Sequence, residues 1–263
     1  MVETQVSWLL WAGSLAMGAV VGSFLNVCIY RLPRRESLVY PGSHCPSCGS
    51  PIRPYDNIPI LSYLLLRGRC RVCAGRISPR YPFVEALTAG LALALAGRYG
   101  WSPETPIFFV LSSAMIVITF IDLDHQIIPN SITYPGIPLG VAASFFLPEV
   151  SLKDSLLGLA LGGGILWLVA VLFKWVRNKE GMGFGDVKLL AMIGAFLGWK
   201  AVLLTLVLSS FVGAVVGYAA LRLSGKDAGE PIPFGPFLAM GAVVYMLGGD
   251  ELVNWYLALG RAS

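Results

Sequence analysis

A series of apolar runs, too long for a soluble core, constrains this chain more than any other feature. The first, Ser7 to Tyr30, carries no charged residue, and further runs recur to the C-terminal end. About 18 such residues reach across a hydrocarbon core. Backbone polar groups inside that core must be satisfied within the segment, which leaves helices as the local structure. Only 13% of the residues are charged, where a soluble domain carries about a quarter. The expected fold is therefore all-α: a polytopic membrane bundle of about eight transmembrane helices with one small polar segment.

The spans are expected at about 7–30, 82–100, 106–122, 131–147, 154–175, 186–198, 199–222 and from near Pro231 to Leu247. Pro135 and Pro138 predict a kink in the fourth. The sixth is short, reaching only about two-thirds of a ~30 Å core. Gly158, Gly162, Gly163 and Gly164, and the pair Gly213 and Gly217, are small residues that let membrane helices approach closely. The chain divides into a first span (1–30), a Cys- and Arg-rich segment (31–80) and a transmembrane core (81–263).

Charge orients these spans. Between Arg31 and Arg80 there are nine Arg against Glu36 and Asp56. In a membrane protein such a cluster marks the cytoplasmic side rather than a nucleic-acid surface. The first run lacks a positive segment before it, so it is not an ordinary cleaved signal. The N-terminus is expected outside and residues from Arg31 inside. Lys174, Arg177, Lys179, Lys188, Arg222 and Lys226 then fall inside, and Arg98, Lys153, Lys200 and Arg261 outside.

Cys45-Pro46-Ser47-Cys48 and Cys70-Arg71-Val72-Cys73 are two C-x-x-C pairs with 21 residues between them. Each pair can aim two thiolates at one ion from a tight turn, and two such knuckles complete a tetrahedral zinc site. Gly49 and Gly75 suit the turns. A cytoplasmic location argues against disulfides, and a redox pair would need a compact α/β fold. Four thiolates leave no open position for water, so the zinc is expected to be structural. Cys28 lies inside the first span and reads as a small buried apolar residue; His44 is not needed as a ligand.

Asp122 ends one apolar run and Asp186 begins another. Either alone reads as a helix-end residue. Together they are two carboxylates at the same expected depth, near the cytoplasmic face, on segments far apart in sequence. Such a pair can share one proton: the ionised Asp takes a proton from water and the neutral Asp donates to a peptide carbonyl. Glycine on either side of Phe184, just before Asp186, would let a substrate strand approach.

Gly183-Phe184-Gly185-Asp186-Val187-Lys188 resembles the G-x-G-D-x-K motif of type IV prepilin peptidases, and Asp122-Leu123-Asp124-His125-Gln126-Ile127-Ile128-Pro129-Asn130 resembles that family's first aspartate motif. Gly22-Ser23-Phe24-Leu25-Asn26-Val27 and Pro233-Phe234-Gly235-Pro236-Phe237-Leu238 are also similar to family segments, in the family's order along nearly the whole chain. The resemblance implies that Asp122 and Asp186 are the catalytic pair, with Asp124 the rival for the first position. His125 reads as a surface residue and Lys188 as an interfacial anchor. The longer bacterial members carry the same two cysteine pairs in the same place. They cleave precursors of type IV pilins and type II secretion pseudopilins at the inner membrane. They then N-methylate the new amino terminus with S-adenosylmethionine, so the resemblance implies both activities here. No glycine-rich nucleotide loop marks the donor site; Glu85, inside a predicted span, is a possible participant or a plain helix-start carboxylate.

Other readings fit less well. A rhomboid-type protease needs a His partnering a Ser, but His44 and His125 lie outside the spans; H-E-x-x-H is absent. A transporter would place its carboxylates at mid-membrane. The sequence carries no signal for oligomeric state.

Overall fold

A computed structural model describes residues 2–178, 183–224 and 233–259 of the chain. Lys179, Lys226, Arg261 and the expected start of the last span at Pro231 lie outside the described residues. Among the described residues there is no strand, only helices, turns and two isolated bridges. The helices are α1 (Val2–Arg31), α2 (Leu61–Leu65), α3 (Arg80–Tyr99), α4 (Glu104–His125), α5 (Asn130–Ala143), α6 (Leu152–Arg177), α7 (Phe184–Ser224), α8 (Gly235–Val244) and α9 (Asp250–Leu259). Five segments are long and apolar enough to cross a membrane: Trp8–Arg31, Glu104–His125, Leu152–Val176, Phe184–Ala219 and Gly235–Val253. The chain is a multi-pass all-α membrane protein.

The expected sixth and seventh spans lie on one element, α7. It is one run of 41 residues interrupted at Gly198, whose φ of 80° and ψ of 177° are non-helical. The break falls where the sequence separates the spans 186–198 and 199–222. α5 runs from Asn130 through Pro135 and Pro138 as one helix of 14 residues.

The chain forms two compact units, Met1–Val117 and Ile118–Ser263, with the division inside α4. In the first unit α1 packs on α3. A Cβ on Gly18 would lie 2.6 Å from Ala89 Cα, and one on Gly22 would lie 2.7 Å from Glu85 Cα, so only glycine permits this contact. The cysteine segment follows α1 and is anchored at its root by Arg31. That buried guanidinium donates to the carbonyls of Ser37 at 2.8 Å, Pro41 at 2.6 Å and Gly42 at 3.5 Å.

In the second unit α5, α6 and α8 all pack on α7. Leu189, Leu190, Met192 and Ile193 of α7 are fully buried. Because lipid is as apolar as leucine, close packing and interhelical hydrogen bonds must hold these helices. Gly158 and Gly162 of α6 meet the α7 backbone, with a Cβ at 2.7 Å from Gly198 C and 2.8 Å from Leu190 C respectively. Ser155 Oγ donates to Ala195 O at 2.6 Å in the same interface. Gly163 makes ordinary contact and Gly164 faces open space, so half of the expected glycine stripe does the packing. α6 opens with a capping box in which Ser151 and Asp154 satisfy each other's backbone N–H.

Candidate active site and thiolate cluster

Three segments of the second unit converge. The first is the end of α4 with its turn into α5, carrying Asp122, Ile128 and Asn130. The second is the start of α7, carrying Gly185, Asp186 and Lys188. The third is the start of α8, at Gly235. The α4 helix stops after His125 because Gln126 turns to φ 53° while its N–H still bonds Asp122 O at 2.9 Å. The chain then runs through Ile128 to Pro129, which is extended and opens α5.

Ile128 is the hub. A Cβ on Gly185 would lie 2.9 Å from Ile128 Cβ, and one on Gly235 would lie 3.3 Å from Ile128 Cδ1. Gly185 precedes Asp186. Gly235 donates its N–H to Asp122 Oδ2 at 3.0 Å, and a Cβ there would come within 2.6 Å of that oxygen. Asp122 and Asp186 are 5% and 9% exposed, and the Asp122 carboxylate is close enough for its charge to act on Asp186. Asp124, the rival for the first position, is exposed, as is His125.

Lys188 does more than anchor at an interface. Its ammonium donates to Asn130 Oδ1 and lies 4.9 Å from the Tyr134 ring centre and 5.6 Å from that of Phe184. It thus ties the segment behind Asp186 to the segment behind Asp122. The roles of Gly235, Ile128 and Asn130 are the part of the site that residue chemistry alone did not expose. The only available signal was their place inside the two motifs and the Pro-Phe-Gly-Pro stretch.

In the first unit the two C-x-x-C turns are near copies. Cys45 N bonds Ser50 O at 2.9 Å and Gly49 N bonds Cys45 O at 2.9 Å; Cys70 N bonds Gly75 O at 2.8 Å and Ala74 N bonds Cys70 O at 2.9 Å. The bridges His44–Pro51 and Arg69–Arg76 close the two turns. Gly49 has φ 70°, but the equivalent residue of the second turn is Ala74, at φ 55°, and not Gly75. Gly75 is needed for a different reason: a Cβ there would lie 3.2 Å from Cys73 Sγ and 3.3 Å from Ser47 Oγ of the other turn.

The four Sγ atoms lie within 4.8 Å of one another, and Cys45 Sγ is 3.8 Å from Cys73 Sγ. A tetrahedron with metal–sulfur bonds of about 2.3 Å has edges of about 3.8 Å, so the cluster could hold one metal ion. The hydroxyl of Ser50, 3.4 Å away, together with its N–H, holds the Cys48 thiol down to about 6. Cys73, despite the Gly75 backbone that lowers it, is pushed up to about 11 by the neighbouring thiols Cys48, Cys70 and Cys45 and by desolvation, so a metal would have to displace a proton there. His44 turns to Gly42 O at 3.1 Å and is not in the cluster. Arg71, inside the second turn, grips Asp56 through Nε and Nη2 at 2.6–3.0 Å. These bonds hold the Asp56 carboxyl below the ordinary carboxylate range. Cys28 is free and buried in α1.

Comparison with known proteins agrees with this architecture. Residues 16–99 match the bacterial peptidase A24 N-terminal domain and residues 109–218 the type IV leader peptidase family. A prepilin leader peptidase/N-methyltransferase of Pseudomonas aeruginosa is 42% identical over 93% of this chain and 92% of its own. One of Aeromonas hydrophila is 41% identical over 95% and 94%, and one of Legionella pneumophila 37% over 95% of each. No solved structure matches. With identity of this order along almost the entire length, and both family segments in register with the two sites, the chain belongs to the type IV leader peptidase family of membrane enzymes.

Proposed function

We propose that the chain cleaves the leader from type IV prepilins and type II secretion pseudopilins with Asp122 and Asp186, and then N-methylates the new amino terminus with S-adenosylmethionine. The observation that carries the cleavage reading is the pairing of two buried carboxylates around Ile128, with a backbone N–H on one of them. The relatives' shared name, prepilin leader peptidase/N-methyltransferase, supports both activities.

The Gly235 N–H suits Asp122 to the ionised role, because a donor on a carboxylate favours its charged form. Asp186, with no such donor among the described residues, holds the shared proton. Asp122 takes a proton from water, the resulting nucleophile adds to the scissile carbonyl, and Asp186 donates to the carbonyl oxygen. Gly183, whose missing side chain would meet only Asp186 Oδ2 at 3.7 Å and Gly185 N at 3.9 Å, leaves room for an extended substrate strand beside Asp186, whereas the space at Gly185 is taken by Ile128. Zinc would be held by Cys45, Cys48, Cys70 and Cys73 and would brace the two turns, taking no part in cleavage. S-adenosylmethionine would supply an electrophilic methyl group on a sulfonium centre. The Arg-rich segment 31–80 is assigned to the cytoplasmic face of the bacterial inner membrane. That places the N-terminus outside and the aspartates where a basic leader meets a membrane-embedded helix.

The test is single replacement of Asp122 and of Asp186 by Asn in the full chain, with prepilin cleavage followed in membranes. Each variant should lose about 10³-fold or more, the scale of acid–base catalysis. Retained cleavage in either one overturns the aspartate pair.

A further inference from the structure

Glu85 is a buried carboxylate that the cleavage reading leaves unused. It lies on the second turn of α3, 8% exposed, and no cationic side chain pairs with it among the described residues. Its Oε2 accepts the Ile60 N–H at 2.7 Å, and the Ser23 hydroxyl of α1 also reaches it. Asn26, 7% exposed, donates its amide to Tyr81 O at 3.1 Å and Gly22 O at 3.3 Å. Tyr81 and Glu85 are one turn apart on α3, and Gly22 and Asn26 one turn apart on α1. At Gly22 the two helices touch. The carboxylate of Glu85, the amide oxygen of Asn26 and the hydroxyl of Ser23 therefore share one small buried patch within the first unit.

A buried carboxylate with hydrogen-bond donors but no cationic partner among the described residues is costly and calls for a reason. Holding Ile60 is not sufficient. Ile60 sits at φ 63°, a strained value for a β-branched residue, and its N–H needs an acceptor. A neutral amide oxygen would serve that N–H equally well, so the clamp explains the length of the side chain and leaves its charge unexplained. A metal ion is a poor occupant, because one carboxylate oxygen is already taken by Ile60 and too few hard ligands remain. A primary ammonium fits: it is a cation with three N–H donors, and the patch offers a negative charge with neutral acceptors beside it.

We propose that Glu85, with Ser23 and Asn26, seats the amino group of the methyl acceptor, and that Glu85 is the base that deprotonates it. The inference rests on the reading that the chain methylates a newly exposed amino terminus. The ammonium gives one proton to the Glu85 carboxylate. The freed nitrogen lone pair forms the N–C bond to the methyl carbon as the C–S bond of the sulfonium donor breaks, its electron pair remaining on sulfur. The products are a secondary ammonium, a neutral thioether and a protonated Glu85, which returns its proton to water.

The experiment uses the full chain with Glu85→Gln, which keeps the acceptor for Ile60 and removes the charge. Three quantities are read: prepilin cleavage, methyl transfer from S-adenosylmethionine to a cleaved pilin peptide, and donor-free binding of that peptide with a free or an acetylated amino terminus. Cleavage should stay within about twofold, while methyl transfer falls about 10²-fold or more and loses its acidic limb. The wild type should prefer the free amine by about tenfold and the variant should show no preference. Methyl transfer within twofold of wild type, or a preserved preference for the free amine, overturns the seat. Joint loss of cleavage and bound metal reduces Glu85 to a structural clamp and also overturns it. If the wild type transfers no methyl group, the broader methylation reading fails, and the binding preference still judges the seat.

Discussion

Asp122 and Asp186 are carried by long helices whose neighbours are nearly all apolar, whereas the four cysteines are carried by backbone turns in a segment with little core. Leu189, Leu190 and Ile121 beside the aspartates are fully buried; of the four cluster cysteines only Cys45 is buried, and Cys48 and Cys73 are exposed. Packing can hold a carboxylate in place with no ligand present, because interhelical contacts fix its backbone at many points. Turns of six residues fix a thiol only through a few hydrogen bonds. They need an ion to supply the cohesion that a core supplies elsewhere. The two sites should therefore fail independently and in different ways.

The strongest attempt to break that contrast is Gly235→Ala. The new Cβ would meet Asp122 Oδ2 at 2.6 Å and displace the N–H that the carboxylate accepts. Loss of one such donor costs about 10²–10³ in rate. Prepilin cleavage should fall on that scale with bound metal unchanged. Cleavage within tenfold of wild type would mean that Asp122 is not held through Gly235.

The converse experiment acts on the thiolates. Purified protein should carry about one zinc per chain, lost when Cys45 and Cys48 become Ser or when a strong chelator is added. Limited proteolysis should then open residues 32–79, since a metal-braced segment loses its fold with its ion. Cleavage should fall by about tenfold or less, because the aspartates belong to the unit that packs around α7. Equal damage to both would join the two sites and end the comparison.

How much of this was legible in the sequence follows the same division. Cysteine spacing carries its own geometry, so the cluster could be read before any fold was known. The break at Gly198 was legible as well, since the apolar run changes character there. Gly75 suits its turn for a reason the spacing does not show: Ala74 takes the positive φ and Gly75 makes room for Ser47. Contacts between distant segments left no local trace. Nothing in the residues alone says that Gly235 bonds Asp122 across 113 positions, or that Ile128 touches both glycine motifs. The carboxylates could be named from their types and settings, but their supports could not.

Lys188 sharpens this point at smaller amplitude. An interfacial anchor could be replaced by Met or Gln with no effect on rate. A tie between Lys188 and Asn130 predicts that Lys188→Met and Asn130→Ala each lower kcat about three- to tenfold with little change in KM, and that the double variant is no worse than the single ones. Additive losses would place the two residues in separate roles.

The smallest effect belongs to Arg71 and Asp56. Their ion pair joins the second cysteine turn to the short helical turn Pro54–Asp56 that follows the first, at N···O 2.6 Å. The Arg71 side chain is 52% exposed, so salt screens the pair and its contribution is modest. Arg71→Ala should therefore speed metal loss to a chelator by only about two- to threefold in low salt, and the difference should vanish near ~1 M salt. A difference that survives high salt would show that Arg71 acts through packing on Tyr55, 5.7 Å from its guanidinium. In that case the cysteine segment has a small core of its own, and its dependence on the ion is weaker than the contrast with the aspartates requires.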